Sequence, residues 1–87
     1  MYLKEKNKVH DGVQYTYLFP NGFGASVIKH SYSYGGKQGL WEIAPLDQDG
    51  EFIGRGVFGW DDDVQGYLTN GEVNAILVKL QDIEITN

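Results

Sequence analysis

Gln14-Tyr15-Thr16-Tyr17-Leu18-Phe19-Pro20-Asn21-Gly22-Phe23-Gly24-Ala25-Ser26-Val27-Ile28-Lys29-His30 is the stretch that decides the fold. Tyr15, Tyr17 and Phe19 alternate with Thr16 and Leu18 at the two-residue period of a strand that is apolar on both faces. Pro20-Asn21-Gly22 stops the run, because proline cannot donate to an interior ladder and Asn-Gly accepts the positive φ of a tight hairpin. Beyond it, Phe23 to about Tyr32 reads as a second strand. Ala25, Val27 and Lys29 take one side of that strand, and Ile28, His30 and Tyr32 the other. The pair is an antiparallel hairpin.

Outward toward the N-terminus, residues 1–12 read as a polar arm or an edge segment ending in a turn at Asp11-Gly12. In the other direction, Ser33-Tyr34-Gly35-Gly36-Lys37-Gln38-Gly39 is a flexible connection. A third strand is expected from Leu40 to Leu46, with Trp41 and Ile43 facing away from Glu42 and Ala44. Asp47-Gln48-Asp49-Gly50 has turn chemistry, since aspartate bonds nearby N–H groups and glycine enters the left-handed region freely. Glu51 to about Gly59 is expected as a fourth strand. Gly54 and Gly56 would leave a trough between Phe52 and Phe58, suited to a packed helix or a bulge.

The C-terminal segment carries the helical signal. Val73, Ile76, Leu77 and Leu80 recur at three- and four-residue spacing, and Ile83 extends the stripe. Thr69 with Glu72 makes a capping box, with Asn70 competing for the cap. Asp61-Asp62-Asp63 with Val64 to Leu68 is expected to add a short turn of helix before it. Such a helix is too short to persist alone in water, so the sheet must cover its stripe, opposite Val27, Trp41 and Ile43. The expected class is therefore α+β: a four-stranded, mainly antiparallel sheet covered by one C-terminal helix, in two layers and one domain over residues 1–87.

Composition narrows the function classes. A chain of 87 residues supports one small core, burying roughly 60 to 65% of the surface its unfolded form exposes. It has no cysteine, which removes disulfides, thiolate catalysis and thiolate-ligated metals. No signal-peptide pattern opens the chain and no apolar run is long enough to span a bilayer, so the expected location is cytoplasmic. Charge is unevenly placed. Residues 1–30 carry +2, whereas residues 31–87 hold three basic against ten acidic side chains, or −7. That balance disfavours direct binding to nucleic acid, with the Lys4, Lys6, Lys8 arm as the one feature in its favour.

Each chemical motif has an ordinary structural explanation beside it. Asp61, Asp62 and Asp63 suit a hard cation in type, but three consecutive acids do not converge, and Asp47-Gln48-Asp49-Gly50 is only a fragment of a calcium loop. No metal or other cofactor is expected. His10 and His30 would need a carboxylate such as Asp11 or Glu42 in a cleft to act as acid or base. Glu42 and Glu51 would need a sugar-sized cleft that so short a chain hardly builds. Gly54-Arg55-Gly56 lacks the lysine of a phosphate loop.

Tyr32, Tyr34 and Trp41 have two readings, as rings packing a small sheet short of aliphatic residues or as a binding surface. Tyr32, Tyr34 and Trp41 flank Gly35-Gly36, and tyrosine supplies contact area with few rotatable bonds. From Glu42 to Asp63 the chain carries seven carboxylates against Arg55 alone, with Asp47, Asp49, Glu51, Asp61, Asp62 and Asp63 prominent among them. These nine residues are the candidate contacts for a positively charged partner.

Phe19-Pro20-Asn21-Gly22-Phe23-Gly24-Ala25-Ser26-Val27-Ile28, together with Tyr34-Gly35-Gly36-Lys37-Gln38-Gly39-Leu40-Trp41-Glu42, resembles small, uncharacterised acidic proteins encoded by phages and prophages. The resemblance implies a phage context, in which such proteins bind host enzymes, anti-CRISPR inhibitors among them. No binding residue is carried over from it. The expected function is non-enzymatic: inhibition of a host nucleic-acid-processing or CRISPR-like defence protein, in the host cytoplasm, through an acidic surface bearing aromatic rings. The alternatives are an assembly protein forming a homodimer through sheet edges and tyrosines, and a small enzyme.

Overall fold

The computed structural model describes residues 2–84; the ends of the expected 1–87 domain lie outside the described residues. The described residues form five strands, β1 (Leu3–Val9), β2 (Gly12–Leu18), β3 (Gly24–Lys29), β4 (Trp41–Leu46) and β5 (Gln65–Leu68), with helices α1 (Gly54–Phe58) and α2 (Asn70–Gln81). The strands lie in the order β1-β2-β3-β4-β5, each antiparallel to the next. The expectation of four strands and one C-terminal helix is thereby corrected to a five-stranded antiparallel sheet with two helices.

Three segments account for the difference. The N-terminal stretch is an edge strand, paired from Leu3↔Tyr17 to Val9↔Gly12. It carries Lys4, Lys6 and Lys8, a residue type common on free sheet edges. Glu51 to Gly59 is not a strand. After a single bridge between Phe52 and Leu46, the chain winds into α1, with Val57 N–H donating to Ile53 O at 2.9 Å. Gly59 closes that helix at φ 69°. Asp61-Asp62-Asp63 is a bend leading into β5, not a turn of helix.

The hairpin of β2 and β3 forms as its residues dictate, in register from Val13↔Lys29 to Leu18↔Gly24. The 47–50 turn also forms: the Asp47 carboxylate accepts from the N–H groups of Asp49 and Glu51, both at 2.9 Å, and Gly50 sits at φ 80°. Proline within β4 follows from the same turn. Pro45 O accepts from Ile53 N–H, and in an antiparallel strand a residue's N and O point to the same side. The missing donor of Pro45 thus faces the irregular 51–53 segment and not the β3 ladder.

α2 begins at Thr69, whose hydroxyl accepts from Glu72 N–H while the Glu72 carboxylate accepts from Thr69 N–H, so Thr69 and not Asn70 is the cap. Val73, Leu77 and Leu80 are buried and Ile76 half-buried. They meet Val27 and Ile43 of the sheet, and Phe19, Ala25, Ile53 and Leu68 complete one core. Trp41 packs at its margin.

Candidate functional site

Tyr34 and Tyr67 bring the acidic bend and the aromatic loop together. Tyr67 N–H donates to Tyr34 O at 3.1 Å, which ties the 33–39 loop to strand β5. Two glycines permit this approach. A Cβ at Gly35 would lie 2.8 Å from Tyr67 Cα, and one at Gly66 would collide with the Tyr34 side chain and lie 2.8 Å from its carbonyl oxygen. The far side of the loop is anchored by the Glu42 carboxylate, which accepts from Tyr34 N–H at 2.9 Å. Ser33, buried, fixes its start by donating to His30 O at 2.9 Å and accepting from His30 N–H at 3.0 Å.

The result is an open concavity of about 470 Å³ whose wall includes Tyr34, Trp60, Asp61, Asp62, Gln65 and Tyr67. Tyr67 adopts φ 58°, a left-handed conformation that a bulky side chain adopts only under strain. The strain does not come from burial of its ring, since Tyr67 is 59% exposed and Tyr34 56%. Trp60 is held from behind by Phe58, with ring centroids 5.0 Å apart and planes 27° from parallel. Asp62 faces Arg55 at 3.6 Å in a solvated pair of little strength. No hydrogen bond or ion pair engages the exposed Asp61 carboxylate among the described residues. Rings and carboxylates lining one hollow are the chemistry that receives a cation: the ring faces and the carboxylates attract it together.

The nine sequence-derived contacts therefore separate. Tyr34, Asp61 and Asp62 meet in the concavity. Asp63 turns away from it, accepting from Arg55 N–H at 3.5 Å, at the limit of a hydrogen bond. Asp47, Asp49 and Glu51 occupy the separate 47–51 turn, where Asp47 is committed to the backbone. Tyr32, 79% exposed, lies against His10 with centroids 5.3 Å apart. Trp41 points to the α2 side, its indole N–H donating to Asn70 Oδ1 at 2.6 Å. Trp60 and Tyr67 were not singled out by sequence. The usable signal was Gly35 and Gly66 beside tyrosines, since glycine marks close backbone approach.

The histidines form a separate group. His10 and His30 lie 4.9 Å apart, and His30 Nδ1 accepts from Tyr32 N–H at 3.1 Å. The Asp11 carboxylate accepts from Ser31 N–H at 2.9 Å, and this bond holds its pKa below the ordinary 3.8. Among the described residues, no three His, Asp or Glu side chains converge on a point that would hold a metal ion. Comparison with protein families, with curated proteins and with solved structures returns no match to this chain.

Proposed function

We propose that this chain is a non-enzymatic binding protein that receives a cationic side chain of a basic partner protein in the concavity of Tyr34, Trp60, Tyr67, Asp61 and Asp62. The observation that carries the reading is Tyr67, held at φ 58° with its ring exposed beside two carboxylates. Strain of this kind costs about 1 to 3 kcal/mol and persists where a surrounding structure imposes it for use. The acid excess supports the same partner chemistry by steering a basic surface toward the hollow. A host nucleic-acid-processing or CRISPR-like defence protein is the class of partner that the phage resemblance suggests. Inhibition would follow from occupying a basic channel meant for phosphates.

An arginine-rich peptide tests the recognition step. Titrated into the labelled protein, it shifts the amide signals of Tyr34, Asp61 and Tyr67, with affinity falling as salt rises. Replacing Asp61 and Asp62 together with Asn weakens binding and flattens the salt dependence while the fold persists. Equal affinity of the folded variant at low and high salt would exclude the concavity as the electrostatic anchor.

A further inference from the structure

The sheet face on the α2 side carries a second surface of opposite charge. Register assigns the strand residues to faces. Lys6 stands opposite Tyr15, which stands opposite Val27, and Lys8 opposite Val13, which stands opposite Lys29. Tyr17 is opposite Ala25, and Val27 is opposite Ile43, so Trp41, two residues before Ile43, shares the side. Glu5 and Glu42 are the only carboxylates within the five strands, and their partners Thr16 and Ile28 place both on the opposite face. One face of the strands thus carries three lysines and no acid, in a protein of net charge −5.

α2 packs on β3, β4 and β5, so β1 and much of β2 extend past it. Two hollows meet at Tyr15. One is lined by Lys6, Lys8, Val13 and Tyr15, the other by Tyr15, Tyr17, Trp41, Asn70 and Asn74. Lysine and ring alternate along them: Lys6 Nζ lies 5.5 Å from the Tyr15 ring centre, and Lys29 Nζ lies 4.2 Å from that of Trp41. Tyr15 and Trp41 have centroids 5.8 Å apart. The polar groups contributed by α2 are the neutral amides of Asn70 and Asn74.

We propose that this face is a platform for single-stranded nucleic acid, with Lys6, Lys8 and Lys29 on phosphates and Tyr15, Tyr17 and Trp41 under bases. Interleaved cations and half-exposed rings are what such ligands require, because phosphate and base alternate along the strand. A duplex keeps its base faces stacked and has no use for the rings. An acidic peptide would use the lysines alone. The lysines leave the rings readily, since a cation–π contact at a solvated site is weak. This site lies on different residues from the acidic concavity, and each stands or falls without the other.

The test uses oligothymidylate and oligouridylate dodecamers, a DNA duplex of the same length and an oligoglutamate peptide. In a Trp60→Phe background, Trp41 fluorescence reports stacking; in the unaltered chain, the Trp41 indole N–H resonance reports the same event. Saturable quenching by either single strand is expected, with a slope of log affinity on log salt of about −2, or about 0.7 for each of three lysines. Lys6→Gln with Lys8→Gln, both exposed, reduces that slope to about −0.7. Trp41→Leu lowers affinity by about five- to 150-fold, the usual loss of one stacked base. A preference for DNA or for RNA identifies the natural strand, and equal binding of both supports the platform as well. Binding of the duplex or of oligoglutamate as tight as that of the single strands would overturn it. So would no binding at about 50 mM salt, or a slope unchanged by the lysine substitutions.

Discussion

Asn21 and Leu80 lie 59 positions apart, yet the Asn21 side-chain amide donates to Leu80 O at 2.8 Å and to Ile83 O at 3.0 Å. The turn of the β2–β3 hairpin therefore ties down the C-terminal end of α2, adding a side-chain donor to Leu80 O, which also accepts from Ile83 N–H at 3.4 Å, and to Ile83 O just past the helix. The same side chain shapes its own turn, Asn21 Oδ1 accepting from Phe23 N–H at 3.0 Å. Asn21→Ala is expected to destabilise the fold by about 1 to 3 kcal/mol in chemical denaturation, because Ile83 O loses its side-chain donor and Leu80 O is left with its weaker backbone contacts. Asn21→Asp should be at least as damaging, since it sets a negative charge against the negative end of the helix.

Leu80 is fully buried whereas Val78, two positions earlier, is 54% exposed. Leu80→Ala should cost about 3 to 5 kcal/mol and Val78→Ala less than about 0.5 kcal/mol. Equal losses in paired urea melts would mean that α2 does not rest on the sheet through this stripe.

At Tyr67, stability and binding should move in opposite directions. Tyr67→Gly relieves the positive φ and is expected to leave stability unchanged or raise it by up to about 1 kcal/mol, while removing a wall of the site. Gly66→Ala drives a methyl group into Tyr34 and should lower both. Thermal melts and titration of the arginine-rich peptide on the same two variants separate these effects.

Acid should loosen the start of α2. The Glu72 pKa lies below its ordinary 4.5, first because Thr69 N–H bonds its carboxylate and then because of the Thr69 hydroxyl. A depressed carboxylate contributes stability that is complete above pH 4.5 and is lost as pH falls through the folded value. Denaturation of wild type and Glu72→Gln at neutral pH and at about pH 3 should show the gap between them closing in acid. A gap of constant size would place the acid sensitivity elsewhere.

The elements legible from sequence are those whose signals are local. Thr69 and Glu72 announce the helix by their own hydrogen bonds, and Pro20-Asn21-Gly22 announces the hairpin. β1 was legible only as an arm or edge because an edge strand exposed on both faces carries no alternation of apolar residues. α1 was misread because Phe52, Gly54, Gly56 and Phe58 have the period of a strand. Its helical turn depends on packing that sequence does not display, including Gly54, where a Cβ would sit 2.8 Å from the Trp60 ring. β5 has four residues and a tyrosine in positive φ, which leaves no periodic trace. The nine candidate contacts are scattered in space, since sequence lists carboxylates and rings without saying which loops meet.

A sheet whose spatial order repeats its chain order has a kinetic consequence. Every strand finds its partner in the strand made just before it, so most pairings close a short loop and lose little chain entropy. The one long excursion, from β4 through α1 to β5, ends at the shortest strand. Refolding should accordingly be fast for a protein built mostly of strands, with the β2–β3 hairpin formed early. The bond from Asn21 to the end of α2, which waits for the last helix, should form late. Asn21→Ala would then speed unfolding and leave the folding rate almost untouched.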